Sequence, residues 1–168
     1  MNQLSRSMLA AAGLMTGLVA AQGTSPLTLS LAQALVRTVT VGGKSTEQLS
    51  PAPKTVQPGD VLSQLLTASN ATAKPLAHVM VRLPVPKGTV YLKPSSTLNA
   101  GVTMEFSIDG GKTYAPAPLK KQVSVTENGR TVLRDVVVKP SEYTAVRWTL
   151  AELPANGNVQ LGFFVQVK

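Results

Sequence analysis

Short apolar stretches alternate with clusters of proline, glycine, asparagine and aspartate along the chain from Leu27 onward. No window keeps apolar residues at the three- to four-residue spacing of a helix over the roughly ten residues that a helix needs. Apolar and polar residues alternate instead with a period of two, which is typical of strands that bury one face. The pattern therefore predicts about eight or nine strands separated by tight turns.

Two predicted strands show this alternation most clearly. In the first, the apolar face should pack on the core and the opposite face should point to solvent. The core face is formed by Ala77, Val79, Val81 and Leu83. The solvent face is formed by Leu76, His78, Met80 and Arg82. The last strand has a core face made of Val159, Leu161, Phe163, Val165 and Val167. The two largest rings in these patterns, Trp148 and Phe163, are expected to anchor the core.

Turn residues bound the remaining predicted strands. The strands span residues 27–41, 56–68, 89–92, 104–108, 123–126, 131–138 and 144–150. Asn128-Gly129, between two β-rich runs, predicts a hairpin, and Asp109-Gly110 predicts a second tight turn. Gly42-Gly43 ends the predicted strand over residues 27–41.

Many short strands at regular spacing predict an all-β fold, an immunoglobulin-like antiparallel β-sandwich with Greek-key connections. A closed barrel is the main alternative. Residues 22–168 show no internal repeat, low-complexity linker or change of composition, so they are expected to form a single domain. A domain of this size can build a core without disulfides or structural metal.

The first 21 residues are predicted to be a signal-peptide helix. A polar start with Arg6 leads into a nearly unbroken apolar run over residues 7–20. Small residues precede the expected cleavage after Ala21, which makes Gln22 the first residue of the mature chain. The alternative, an uncleaved anchor, needs about 20 apolar residues, and this run is shorter. The mature protein is therefore expected in the periplasm, in the cell envelope or outside the cell, without a transmembrane span.

The composition excludes some kinds of chemistry and indicates the charge of the expected partners. The chain has no cysteine, which excludes disulfides, thiolate nucleophiles and a lipidated cysteine. Without Arg6 it has 15 basic and 8 acidic residues, a net charge of +7. This charge favours anionic partners such as wall or surface polymers. The basic residues are dispersed, and Lys120-Lys121 is the one adjacent pair.

The residues suggest no catalytic, cofactor or metal site. His78 is the single histidine and is interpreted as a surface residue, although a hydrolase would need it in a cleft against a carboxylate such as Asp60 or Glu105. The carboxylates are scattered and form no calcium loop. Gly42-Gly43-Lys44-Ser45 lacks the leading glycine of a phosphate loop and is interpreted as a turn. The sequence therefore predicts a protein that is not an enzyme.

The segment from Ser107 to Tyr114 has the pattern S-x-D-x-G-x-x-aromatic, which resembles the Asp-box of sialidase-type propellers. In this motif the aspartate bonds backbone amides of the turn and the aromatic ring packs beneath it. A single copy cannot build a propeller, so the motif is expected to be structural.

A possible interaction surface lies near the last strand and the lysine pair. Because Phe163 should point inward, Phe164 should point outward, near Lys168. Phe164 could mark an edge or partner patch, or be covered by its own domain. The interaction residues predicted from sequence are Phe164, Lys168, Lys120 and Lys121. Single-stranded nucleic acid needs aromatic rings on a basic face, whereas most rings here alternate into the core, which argues against such a partner.

Several turn and strand signatures together resemble one known family. They are Pro58-Gly59-Asp60 opening a strand that ends at Asn70, Leu83-Pro84-Val85-Pro86-Lys87-Gly88-Thr89-Val90-Tyr91, and Tyr143 to Trp148 followed by Leu153-Pro154-Ala155-Asn156-Gly157. The order resembles the bacterial conserved-repeat family, domain of unknown function 11, over most of residues 56–167. The resemblance implies an immunoglobulin-like module of exported surface proteins. Such modules commonly occur in tandem, whereas this chain carries one copy and no sorting signal.

The function expected from the sequence is that of an exported, non-catalytic structural or interaction module of the cell envelope. It would bind envelope proteins or anionic wall or surface polymers through a sheet edge or face. The alternative is a secreted protein that binds a small ligand or an anionic polymer. The sequence leaves self-association open.

Overall fold

The computed structural model describes residues 25–51, 53–95, 100–127 and 129–168. Within these residues the chain forms ten strands, all paired antiparallel, and one short turn of 3₁₀-helix at Pro140–Glu142. The strands are β1 (Leu27–Val41), β2 (Lys44–Pro51), β3 (Val61–Asn70), β4 (Leu76–Pro84), β5 (Thr89–Pro94), β6 (Val102–Ser107), β7 (Lys120–Glu127), β8 (Arg130–Val137), β9 (Ala145–Leu153) and β10 (Asn158–Val167). The predicted all-β class with antiparallel sheets is confirmed.

The strands form two sheets that share one core, and a separate hairpin. The large sheet has the order β2-β1-β3-β10-β5, and the small sheet has the order β4-β9-β6. The hairpin β7-β8, called the arm below, pairs with neither sheet within the described residues. The predicted hairpin around Gly129 is thus confirmed, with Glu127 paired to Arg130 at its tip.

The core lies between the large and the small sheet. Trp148 of β9 and Phe163 of β10 are fully buried and stack with ring centroids 6.1 Å apart, so the predicted anchors are confirmed. Buried aliphatic residues from both sheets surround them, among them Leu62, Leu66, Val81, Val146, Leu150, Leu161 and Val165. The period-two pattern of β9 and β10 therefore places their apolar faces as predicted.

A group of rings fills the end of the core next to β5. Tyr91 lies 5.3 Å from Phe106 and 5.5 Å from both Tyr143 and Phe163, measured between ring centroids. Burial raises the pKa of Tyr91, because the ionised phenol would lose its hydration. These edge and tilted contacts fix the position of β5 against the small sheet.

The large sheet is strongly curled. Its two outermost strands are β2 and β5, which a flat sheet would hold about 19 Å apart, four strand spacings. Nevertheless Glu47 of β2 and Lys93 of β5 approach to 3.8 Å between Oε1 and Nζ. The long β1 allows this, because its first part pairs with β3 up to Val36 and its second part pairs with β2.

Asn70, at the end of β3, joins two turns at one corner of the fold. Its side chain is buried, and its amide nitrogen donates to the carbonyls of Lys74, Leu153 and Pro154 at 2.7, 3.3 and 3.0 Å. Its side-chain oxygen accepts hydrogen bonds from the backbone and hydroxyl of Thr72. One asparagine therefore ties the β3–β4 turn to the β9–β10 turn.

Several strand ends differ from the prediction by two or three residues, and the largest corrections occur in three places. It contains β2, which the sequence did not predict, and β3 begins at Val61 instead of residue 56. In β4, Leu76 packs against the core and Ala77 is exposed, the reverse of the prediction. His78 between them has a φ of 52°, a left-handed conformation that interrupts the alternation of the strand.

The predicted signal peptide over residues 1–21, with cleavage between Ala21 and Gln22, lies outside the described residues. Among the residues that are described, none belongs to a helix with the length and apolarity to cross a bilayer.

Candidate interaction surfaces

The loop after β6 is organised by the carboxylate of Asp109. This carboxylate accepts hydrogen bonds from the backbone N–H groups of Lys112 and Thr113, each at 3.0 Å, and from the Thr113 and Ser107 hydroxyls. The Ser107 hydroxyl in turn accepts the N–H of Gly111 at 2.8 Å. The aspartate therefore bonds turn amides as the Asp-box pattern predicts.

These hydrogen bonds also set the ionisation of Asp109. The bonds from Thr113, followed by those from Ser107 and Lys112, stabilise the carboxylate and hold its pKa far below the ordinary value. A carboxyl with a lowered folded pKa contributes stability above its unfolded pKa, about 3.9, and loses it as pH falls through the folded pKa. The loop should therefore stay ordered at pH 4 and loosen only in stronger acid.

Replacing Asp109 with alanine should free the loop at neutral pH. The amides of Lys112 and Thr113 lose their acceptor, so their hydrogen exchange should accelerate about tenfold or more, as expected when a hydrogen bond to a charged group is lost. Nuclear magnetic resonance measures both rates. Asp135→Ala, which removes an exposed carboxylate from the arm, is the control and should leave them unchanged. Equal rates in wild type and Asp109→Ala would mean that the carboxylate does not hold the loop.

The loop carries Tyr114 onto the outer face of the small sheet. There Arg82 of β4, Arg147 of β9 and Glu105 of β6 form one cross-strand row, with Arg147 in register with both neighbours. The guanidinium carbon of Arg147 lies 4.5 Å from the centroid of the Tyr114 ring, and that of Arg82 lies 5.6 Å from it. The aromatic residue of the motif thus covers two arginines, a cluster that the sequence did not predict.

Glu105 and Arg147 form a partly buried ion pair within this row. The Nε and Nη2 atoms of Arg147 donate to the same Glu105 oxygen at 2.9 and 2.6 Å. Both side chains are about one quarter exposed. Arg82 is exposed, and its guanidinium has no ion pair with any residue that the structure describes.

The arm is an exposed element that projects from the core. It leaves the core between Leu119 and Val138, both buried and joined by a 2.8 Å hydrogen bond from the Val138 N–H to the Leu119 carbonyl. None of its described residues is buried. Leu133 and Val137 are 63% and 61% exposed on one of its faces.

The predicted lysines lie at the base of the arm and along a neighbouring cleft. Lys121 forms an ion pair with Glu142 of the 3₁₀ turn, while Lys120 is exposed. The pKa of Glu142 is lowered, mainly because its carboxylate accepts a hydrogen bond from Lys121. Lys168 and Glu142 line one open cleft of about 440 Å³, together with Lys87. The structure therefore brings Lys121 and Lys168 to one region through Glu142.

Phe164 does not belong to that region. The sequence suggested an exposed edge at this residue, and the structure corrects that prediction. β10 lies inside the large sheet, between β3 and β5, and Phe164 is only 9% exposed. Lys93, the cross-strand neighbour of Phe164, covers the ring with its Nζ 5.2 Å from the centroid. Because Lys93 also reaches Glu47, the curl of the large sheet helps to cover the ring.

His78 is exposed, as predicted for a surface residue. The two carboxylates considered as its partners are engaged elsewhere. Asp60 accepts a hydrogen bond from the Gln57 N–H at 2.8 Å, and Glu105 binds Arg147. The structure therefore gives His78 neither of the orienting carboxylates that a hydrolase mechanism would require.

The chain matches no protein-family model, no curated protein and no solved structure.

Proposed function

We propose that this protein is an exported, non-catalytic interaction module of the cell envelope that binds a partner protein by adding a strand to its arm. The observation that carries the proposal is the arm itself. Each of its two strands has one edge that pairs with no other strand in the described chain. Unpaired edges of this kind are templates for another polypeptide.

The length and isolation of the arm support strand addition. Each strand has eight residues, or about 26 Å of extended chain. A two-stranded hairpin is at best marginally stable in water without packing against other elements. An added strand would supply backbone hydrogen bonds along one free edge, so partner binding would stabilise the arm.

The side chains of the arm suggest which strand it would accept. One face presents four half-exposed valines, and the opposite face presents Leu133 and Val137. The valines are Val123, Val125, Val132 and Val136. The arm contains four basic and two acidic residues, a net charge of +2. These features fit an extended partner segment that alternates apolar with acidic residues.

The remaining parts of the proposal rest on the sequence. The apolar run before Ala21 supports export, and the turn signatures support membership of the conserved-repeat family. The shared core of the large and small sheets supports an immunoglobulin-like sandwich with Greek-key connections. In the same proposal, the exposed Lys120 and the cleft near Lys168 contribute positive charge that attracts acidic partners.

The test combines fractionation with binding. The full chain is expressed with a C-terminal tag in the producing cell, and the processed protein should begin at Gln22 and occur in the envelope fraction. Leu133→Lys/Val137→Lys places two charges at the exposed apolar residues of one face of the arm. This double variant should weaken retention of the envelope partner about tenfold or more, because buried lysines oppose strand packing.

Val56→Lys is the matched control, because it adds one lysine at an exposed apolar residue outside the arm. It should retain the partner fully. Amides of the wild-type arm should also become protected from hydrogen exchange when the partner is bound. Partner binding that survives the double substitution, or arm amides that exchange at the same rate with and without the partner, would contradict strand addition.

A further inference from the structure

The outer face of the small sheet contains an arginine whose charge is available for a ligand. In the row described above, Glu105 already neutralises Arg147 through two hydrogen bonds to one oxygen. Arg82, next to Arg147 across the β4–β9 pair, has no such counter-ion among the described residues. The row therefore has a net charge of +1 located on Arg82.

Arg82 also contacts an aromatic ring on the same face. Its guanidinium lies 5.6 Å from the centroid of the Tyr114 ring, and Tyr114 belongs to the loop that Asp109 orders. Stacking on an aromatic ring leaves the in-plane N–H donors of an arginine free. A planar fork with a fixed orientation loses less entropy on binding than a mobile surface side chain.

The neighbouring cross-strand row supplies further contacts. Met80, Thr149 and Thr103 occupy successive strands in register, one step along the outer face from the arginine row. Met80 is 57% exposed. A ligand whose oxyanion binds Arg82 could therefore place a ring over the methionine and hydroxyl groups near the threonines.

We propose that Arg82 binds the carboxylate of an acidic polysaccharide, with Tyr114 as a positioning residue. The guanidinium fork matches the two oxygens of a carboxylate, and the sugar ring lies over the row formed by Met80, Thr149 and Thr103. This site is separate from the arm and does not depend on strand addition.

The geometry disfavours the other anionic macromolecules. Single-stranded nucleic acid requires aromatic faces free for base stacking, whereas Tyr114 already stacks with guanidinium groups. An anionic membrane is typically bound by clusters of about four to eight basic residues, whereas this row has a net charge of +1. One oriented arginine fits one carboxylate of the repeating unit, and each repeat of the polymer offers an equivalent ligand for it.

The experiment measures binding of polygalacturonate to the intact protein. Wild-type protein should bind it, and fully methyl-esterified polygalacturonate, which lacks the carboxylates, should not compete. Arg82→Gln should weaken binding about fivefold, the upper range for an exposed ion pair. Arg82→Lys should recover only part of the affinity, because lysine lacks the planar fork. Lys54→Gln, which removes one exposed charge elsewhere, should change binding less than twofold.

Tyr114 is tested through the orientation of Arg82. Tyr114→Leu should weaken polygalacturonate binding and move the Arg82 Nε–H resonance towards that of an unrestrained arginine, while Tyr114→Phe should preserve both. Equal losses in Arg82→Gln and Lys54→Gln would show that diffuse charge attracts the polymer and would overturn the proposal. Tighter Arg82-dependent binding of polyglutamate, an oligonucleotide or anionic vesicles would overturn it as well, because the occupant would then be another class of molecule.

Discussion

Replacing Trp148 with alanine should lower the free energy of unfolding by about 3–5 kcal/mol, the range measured for large aromatic residues removed from cores. Trp148 is fully buried, stacks on Phe163 and stands on the central strand of the small sheet. Alanine would therefore leave a cavity between the two sheets. Urea unfolding followed by circular dichroism measures the effect.

Trp148→Phe separates ring packing from the polar atom of the indole. The indole nitrogen is buried and has no hydrogen-bond partner among the described residues, so losing it removes no bond. The phenylalanine variant should therefore lose less stability than the alanine variant. Leu133→Ala, at a residue that is 63% exposed, should change stability by less than about 0.5 kcal/mol. Similar losses for Trp148→Ala and Leu133→Ala would contradict the described core.

Replacing Asn70 with aspartate should destabilise the fold by about 3–5 kcal/mol at pH 7, the cost typical of an unpaired buried charge. The amide nitrogen of Asn70 donates to three backbone carbonyls at the corner that joins the β3–β4 and β9–β10 turns. A carboxylate of the same shape would face those carbonyls with no donor. Thermal unfolding at neutral pH measures the loss.

Asn158→Asp is the control for this change, because it introduces the same charge at an exposed position of β10. It should shift the free energy of unfolding by less than about 0.5 kcal/mol. If both aspartate variants unfold at the same temperature, the hydrogen bonds of Asn70 do not hold the corner together.

Local periodicity was sufficient to predict most of the strands. In β9 and β10 one face is continuously apolar, so the buried side chains, including Trp148 and Phe163, could be named from spacing alone. Asn-Gly at residues 128–129 located the arm, because few other dipeptides favour so tight a hairpin.

The errors occur where burial or backbone conformation departs from that local rule. β2 was missed because its residues are largely polar, although Gly42-Gly43 is a two-residue turn that could have indicated a hairpin. Leu76 was assigned to the wrong face because no sequence rule places a left-handed histidine at position 78. Phe164 is covered through the curl of the large sheet, a tertiary feature.

The arginine row could not be predicted for a related reason. Glu105 and Arg147 are 42 residues apart, and their contact depends on the register of β6 against β9. The alternation within β4 placed Arg82 on the outer face, but only the sheet order places it beside Arg147. The Asp-box pattern predicted the loop and its aromatic residue, though not the side chains beneath the ring.

The strand order has a consequence for how the polypeptide reaches its native state. β9 is the middle strand of the small sheet, and β10 joins β3 to β5 in the large one. Until residues 145–167 are present, β4 and β6 have no common partner, and β5 has no strand to pair with in either sheet. Shorter nascent chains can pair β1 with β2 and β3, but they lack the strands that complete both sheets, so closure of the shared core should be a late event that follows synthesis of β9 and β10.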